Sequence, residues 1–418
     1  GTLGSGRAPG GVGMIRLESC RKAYACETQR AVPPEETLAK VRAKLPAAGI
    51  TRVADITSLD RIGIPVFSSI RPTAESGAIT VYNGKGATPV EAEVSAMMEG
   101  VERYSGELGN VQPIMGRYEE LAAEQRVLCP DDLILPAHAP ADLPMPWVAG
   151  YDVLQEEEIL VPAHAVFHPL PVAYGRPFRT STNGLASGNT IEEAVFHALM
   201  EVIERDAWSL VEMVRDTGPR VIGITDGLAG DLLERFAAAD VEVQIKDITS
   251  DIGIPTMAAV SDDLVLRDPT LLTIGMGSHT NAGIAVLRAL TEVAQSRLTQ
   301  IHGAREDTDT ADIRKRIGYE RTKRLNRHWF EAANDVPFAG ITSFDSDDFL
   351  TDIRHAIGRL EAAGMDRVIV VDLTREEIGV PVVRVIVPGL EVYAMDQERV
   401  GNRCRDAQNR RLPRSKSR

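Results

Sequence analysis

A chain of 418 residues is long enough for two or three ordinary domains, and 44% hydrophobic with 25% charged residues excludes wholesale disorder, a fibrous repeat or a disulfide-stapled miniprotein. A formal charge of -14, from 46 basic against 60 acidic residues, argues against binding nucleic acid or an anionic membrane through the overall field. No apolar run approaches the roughly 18 residues of a membrane span, and Cys20, Cys26, Cys129 and Cys404 show no zinc or redox spacing, so a cytoplasmic protein without a disulfide framework is expected.

In chain order, residues 1–13, with six glycines, read as a leader left from cloning, and Met14 as the native start. An N-terminal segment over 14–50 is expected to precede one large domain over 51–402. Strands are predicted at 64–69 and 78–82. The run Asn83-Gly84-Lys85-Gly86 reads as a glycine-rich turn, suited to phosphate at a helix start although it is not a Walker A motif. Thr88, Pro89 and Glu91 then mark a capping box opening a helix over 88–107. Along it Val94, Met98, Val101 and Ser105 share one face, and Ser95, Glu99 and Glu102 fall together in an adjoining arc of about 60°.

The Pro-rich connections near 136–146 and 162–177 read as surface excursions. Thr190 and Glu193 predict a second capping box, opening a helix over 191–214. Its projection places Glu193, His197, Glu201, Glu204 and Trp208 on one stripe, opposite Val195, Ala198, Leu199 and Val202. Such a stripe is either a solvated face or a site where hard cations, most plausibly magnesium carried in with a nucleotide, relieve the repulsion between carboxylates.

Strands at 220–224, 241–247, 256–260 and 271–276 follow, with a helix over 230–239 among them. Gly275-Met-Gly-Ser-His279 reads as a turn that approaches a ligand. In the next helix, 284–304, Arg288, Glu292, Gln295, Ser296 and Thr299 form a polar face, and Arg297 lies off it. A helix over 348–363 and strands at 367–372 and 382–387 complete an alternation expected of an α/β protein. From 403 to 418, seven basic residues with few apolar ones read as a solvated tail. The absence of HExxH and GxSxG spacings disfavours a zinc hydrolase and a serine hydrolase.

Several of these motifs together resemble the YcaO-domain family, over roughly 51–403. The resemblance is carried by Asp55-Ile-Thr-Ser-Leu-Asp-Arg-Ile-Gly-Ile-Pro65, Gly84-Lys-Gly-Ala-Thr-Pro89, Ser95-x3-Glu99-x2-Glu102-Arg103, Asn183-Gly-Leu-Ala-Ser-Gly-Asn-Thr190, Glu201-x2-Glu204-Arg205-Asp206 and Glu292-x2-Gln295-x-Arg297. It implies a YcaO-type fold, mixed sheets with long helices framing an acidic nucleotide site, and ATP-dependent activation of a peptide backbone amide. It assigns Glu99, Glu102, Glu201 and Glu204 to magnesium and the triphosphate. Ser95, Lys85, Asn189, Glu193, Glu292 and Gln295 belong to the nucleotide site, and Glu201, Glu204 and Arg205 to catalysis.

The N-terminal half is similar to the stand-alone archaeal branch, which is associated with thioglycine formation in methyl-coenzyme M reductase, often with a TfuA partner. The end of the chain, Arg411-Leu-Pro-Arg-Ser-Lys-Ser-Arg418, departs from the proline-rich PxPxP tail common among cyclodehydratases. The resemblance therefore implies a thioamide synthetase that uses external sulfide or a sulfur-delivery protein, acts on a peptide or protein and forms a homodimer. An azoline-forming cyclodehydratase and a non-catalytic nucleotide-binding accessory protein are the alternatives.

Overall fold

The structure is a computed structural model that describes residues 14–25, 28–139, 143–304, 309–331 and 334–411. Residues 1–13, Cys26 and residues 412–418 lie outside the described residues. The chain opens with a two-strand ladder, β1 (Tyr24–Ala25) and β2 (Gln29–Arg30), and helix α1 (Pro34–Arg42). Three antiparallel strands, β3 (Arg52–Asp55), β4 (Val66–Ile70) and β5 (Val81–Lys85), lead into α2 (Pro89–Ser105). Next come β6 (Ile114–Gly116), α3 (Tyr118–Ala122), β7 (Met145–Asp152), β8 (Glu157–Pro162), β9 (Leu185–Ser187) and α4 (Ile191–Val214). The middle of the chain supplies β10 (Arg220–Ile222), α5 (Gly227–Ala238), β11 (Val241–Asp247), β12 (Thr256–Asp263), β13 (Ile274–Ser278) and α6 (Ala282–His302). After the short helices α7 (Asp309–Ile317), α8 (Tyr319–Leu325) and α9 (Arg327–Phe330) come β14 (Asp335–Pro337), α10 (Phe349–Ala362), β15 (Ile369–Asp372), β16 (Val382–Ile386) and α11 (Asn402–Arg411).

This is a mixed α/β architecture in which three long helices each lie on a different sheet. α2 packs on the β3-β4-β5 sheet, α6 on the five-stranded sheet ordered β13-β12-β11-β10-β14, and α4 on the sheet ordered β6-β7-β15-β16-β9, where β8 also pairs β7. Each helix is oriented by its apolar side. On α4, Val195, Ala198, Leu199 and Ile203 are fully buried among Val370, Val383 and Val385 of the sheet and Phe349 and Ile353 of α10. Burying one such aliphatic side chain contributes about 1.5–3 kcal/mol, so the rotation of the helix, and with it the direction of its opposite stripe, is strongly determined.

Several expectations are corrected. Asn83, Gly84 and Lys85 end strand β5 rather than forming a turn. A Cβ on Gly84 would stand 1.9 Å from the Ala96 backbone nitrogen, so glycine is present to let α2 lie directly on the strand. Gly275–Ser278 likewise belong to β13, where a Cβ at Gly275 or Gly277 would meet α6 carbonyl oxygens at 2.2 and 2.1 Å. Glycines that serve close packing imitate a turn signal.

Only the second half of the 162–177 connection is a surface excursion: Ala163, Val166, Phe167 and Leu170 are buried in the core beneath α2 and His164 is buried beside them, whereas residues 171–177 run along the surface with Val172 exposed. On α2 itself Val101 and Ser105 are buried, but Val94 and Met98 line the cavity described below. The basic tail expected over 403–418 is a docked helix as far as it is described. α11 packs on α4 with Cys404 fully buried, and Arg403 binds Asp206 at 2.8 Å and Asp251 at 2.6 Å. Those partners lie far back in the chain, so composition alone could not reveal them.

Candidate functional site

The polar faces left over from packing α2, α4 and α6 on three separate sheets converge on one cavity of about 650 Å³. Its size is that of a small-molecule site. Ser95, Glu99, Glu102 and Arg103 come from α2, Glu193, His197, Glu201, Glu204, Arg205 and Trp208 from α4, and Arg288, Glu292, Gln295 and Thr299 from α6. Lys85 and Asn189 also line it. All the site residues expected from the sequence are therefore brought together.

At the α2 wall the capping box is complete: the Thr88 hydroxyl accepts from the Glu91 N–H, and the Glu91 carboxylate accepts from the Thr88 N–H at 3.1 Å. Ser95 ties this wall to β5 by accepting from the Lys85 N–H at 3.2 Å. One turn on, Arg103 Nε donates to Glu99 at 2.9 Å. Glu102 accepts from the N–H of Ser187 on β9 at 3.0 Å.

The α4 cap is only half of the expected box. Thr190 accepts from the Glu193 N–H at 3.2 Å, but the Glu193 carboxylate turns away to accept from Asn189 and from the Ala31 N–H. Further along, Glu204 accepts from the Ser278 N–H at 3.1 Å and has Arg205 3.7 Å away. The Arg205 guanidinium lies 5.5 Å over the Trp208 ring, a cation–π distance. The Glu201 carboxylate makes no hydrogen bond among the described residues. From α6, Glu292 pairs with Lys85 at 2.5 Å, and Gln295 donates to the Asn83 carbonyl.

These contacts set the protonation equilibria. Burial, reinforced by Glu99 and Glu201, lifts Glu102 well above the usual carboxylate range. Burial also raises Glu201 and Glu204 despite the opposing pull of Arg205. Glu292 moves the other way, because Lys85 and Arg205 outweigh its desolvation. Arg103 and Arg205 hold their charge more firmly than usual among these carboxylates, although burial opposes it. Among the described residues no group of three or more His, Cys, Asp or Glu side chains is drawn close enough to hold a metal ion by itself.

Arg297 does not reach the cavity. It is fully buried and binds Asp60 and Asp263. Sequence reasoning missed Arg30, which lines the cavity from β2, and gave no binding role to Arg103 or Arg288. The last two lie on helices already recognised, and arginine beside a carboxylate stripe is the signal that could have found them. Arg30 had no such signal, because only tertiary folding brings β2 to α4.

Comparison with known proteins agrees with this geometry. Residues 83–391 match the family described as YcaO cyclodehydratase, ATP- and Mg2+-binding. A protein of Methanothermobacter thermautotrophicus is 51% identical over 90% of this chain and 99% of its own. A protein encoded in the tfuA 3' region of Rhizobium leguminosarum bv. trifolii is 34% identical over 87% of this chain and 89% of its own. Among solved structures, the YcaO protein of Methanopyrus kandleri bound with AMPPCP and Mg2+ is 32% identical and superposes with a TM-score of 0.77, over 92% of this chain and 98% of that one. With a match spanning most of its length and all three site helices, the chain belongs to the YcaO family.

Proposed function

We propose that the protein uses ATP and Mg2+ to activate a backbone amide of a peptide or protein, and that sulfide attack then yields a thioamide. The observation that carries the nucleotide part is the convergence of carboxylates and arginines from three helices in one cavity. Its donor set fits the ligand: carboxylates suit a hard cation, and guanidiniums suit phosphate oxygens. A magnesium ion commonly takes only one or two carboxylates and completes its shell with substrate phosphates and water, so a preassembled protein cage is not required.

Glu99, Glu102, Glu201 and Glu204 would hold the cation. Lys85, Arg103 and Arg205 would face the phosphates, and Ser95, Asn189, Glu193, Glu292 and Gln295 would orient them. Bound ATP would supply the phosphoryl group that makes a poor amide oxygen a competent leaving group, with Mg2+ spreading the charge. The protein's own work is positioning and electrostatics. Carboxylates raised by burial take up protons readily and give them up when a dication binds, so binding should release protons in a pH-dependent way.

The relative from the tfuA region and the methanogen relative support external sulfide as the nucleophile, and thioglycine in methyl-coenzyme M reductase as the product. A TfuA-type sulfur-delivery protein and a second copy of this chain belong to the same proposal. Hydrogen sulfide is substantially ionised to the nucleophilic hydrosulfide anion near neutral pH, so its attack requires little help from a general base.

Mass spectrometry of a candidate peptide incubated with protein, ATP, Mg2+ and sulfide tests the reading. Exchange of oxygen for sulfur, dependent on ATP and sulfide, is expected. Loss of water from a Cys, Ser or Thr peptide without sulfide would establish azoline formation instead. ATP turnover that peptide fails to stimulate would favour an accessory protein.

A further inference from the structure

Trp208 ends the α4 stripe, and the Arg205 guanidinium lies over its ring, 5.5 Å from the centroid. Little else sets the direction of Arg205. The guanidinium makes no hydrogen bond among the described residues, and the Glu204 carboxylate stands 3.7 Å away, beyond a good hydrogen bond. Against the cost of burial, Glu204, Glu201 and Glu292 hold its charge in place. Attraction between charges is indifferent to angle, however, so the orientation of the planar fork is left to the flat ring beneath it.

The ring is held in turn from behind. Its Nε1–H donates to a Glu212 carboxylate oxygen at 3.3 Å, one turn further along α4, and the same oxygen accepts from Trp329 Nε1–H of α9 at 2.9 Å. Trp329 is buried with Val211, Ile248, Val260 and Met276. Its segment is tied down where the Thr217 hydroxyl donates to the His328 carbonyl at 2.9 Å and Lys246 Nζ donates to the Glu331 carbonyl at 2.6 Å. Although burial opposes it, His328, Trp329 and Trp208 hold the Glu212 carboxyl below its usual range, so both indole bonds are made to a charged acceptor. Glu212 itself does not line the cavity.

We propose that Glu212 is a positioning residue for Arg205: by accepting from the Trp208 and Trp329 indoles on one oxygen, it fixes the ring that orients the guanidinium toward the phosphates. It touches neither nucleotide nor peptide and acts through Trp208. Helix α9, whose Trp329 lies 117 residues beyond Glu212, thereby becomes part of the support of the site. The inference rests on the nucleotide reading above.

Calorimetric titration of the full chain with AMPPCP–Mg2+ tests it, each variant being first shown to melt cooperatively. Glu212→Leu removes the acceptor and should weaken binding by roughly fivefold to twentyfold. Glu212→Gln, whose amide oxygen can still accept from both indoles, should stay within about twofold of the unaltered protein. Trp208→Phe keeps a ring but has no N–H, and should lose about as much as Glu212→Leu. In that background Glu212→Leu should add less than about twofold, because the ring is no longer tied to residue 212. Thr217→Val, which loosens α9 without touching either indole, should lower the melting temperature and leave affinity unchanged. Unchanged affinity in either Glu212→Leu or Trp208→Phe would overturn the proposal. Additive losses in the double variant, or a loss in Thr217→Val as large as that in Glu212→Leu, would do so too, by reducing Glu212 to a structural anchor. Failure of the unaltered protein to bind AMPPCP–Mg2+ would instead overturn the nucleotide reading itself.

Discussion

Arg297 and Arg205 are both carried by long helices among carboxylates, but the two networks differ in how their charges are met. Arg297 donates to Asp60 at 2.8 and 3.1 Å and to Asp263 at 3.0 Å, while Arg61 grips Asp263 with two bonds of 2.8 and 2.9 Å. Although burial opposes it, hydrogen bonds from Arg61, the Leu266 N–H and Arg297 hold Asp263 down to about 2. Around Arg205 the balance is reversed, and Glu102, Glu201 and Glu204 all sit above their ordinary range. A network in which each carboxylate is hydrogen-bonded by a cation strengthens the fold, whereas raised carboxylates are held at a cost that a ligand can relieve. Strain of this kind separates a site from a scaffold.

The largest effect should come from the strained network. Glu201→Gln or Glu99→Gln should weaken AMPPCP–Mg2+ binding by roughly a hundredfold or more in calorimetry, with no fall in melting temperature for Glu201→Gln. Unchanged affinity in both variants would remove the metal and triphosphate assignment. Next comes the matched network: Arg297→Met leaves Asp60 buried without its cation and should cost about 3–5 kcal/mol in urea unfolding. It should leave nucleotide affinity of the folded protein intact. Loss of affinity without loss of stability would give Arg297 the nucleotide role that its position in the structure argues against.

The pH dependence sharpens the contrast because the two networks have opposite signs. Asp263, with a folded value of about 2 against an ordinary 3.8, contributes stability that is present above about pH 4 and lost as pH falls toward 2. Glu102, Glu201 and Glu204 are raised above 4.5, so the folded state binds more protons there, and stability falls as pH rises above 4.5. Asp263→Asn should abolish the acid-side loss, and Glu201→Gln should flatten the fall above pH 4.5, both read from melting temperature against pH.

The smallest effect is expected at Cys20. Burial raises its thiol, with the Glu192, Glu193 and Asp348 charges adding to that against a hydrogen bond to Thr190, so little thiolate is present near neutrality. Cys20→Ser should leave sulfide-dependent product formation nearly unchanged. Complete loss of product in a folded, nucleotide-binding variant would revive a covalent persulfide route.

Much of the site was legible because it lies on helices whose periodicity survives in one dimension. Ile191–Val214 was bounded correctly from its Thr190 cap, and the stripe from Glu193 to Trp208 does face the cavity. Glycine was less readable. Gly84, Gly275 and Gly277 imitate turns, but their purpose is to let a helix approach a strand, and the helix that needs the space lies elsewhere in the chain. Short edge strands such as β6, β9 and β14 escaped for a related reason: three residues carry no period, and partners distant in sequence decide their pairing.

The sequence by itself determined the α/β class, the three amphipathic helices and the polar stripe of each, because local spacing sets those faces; that Val94 and Met98 join the cavity it did not show. Only the tertiary structure decided that three faces on three sheets meet in one cavity, and which arginines are spent on structure. Arg297 and Arg205 look alike in sequence, but Asp60 and Asp263 reach the first, while the second is left beside raised carboxylates and Trp208. The same holds for Arg30, whose placement beside His197 spans 167 residues of chain, a distance over which no local pattern carries information.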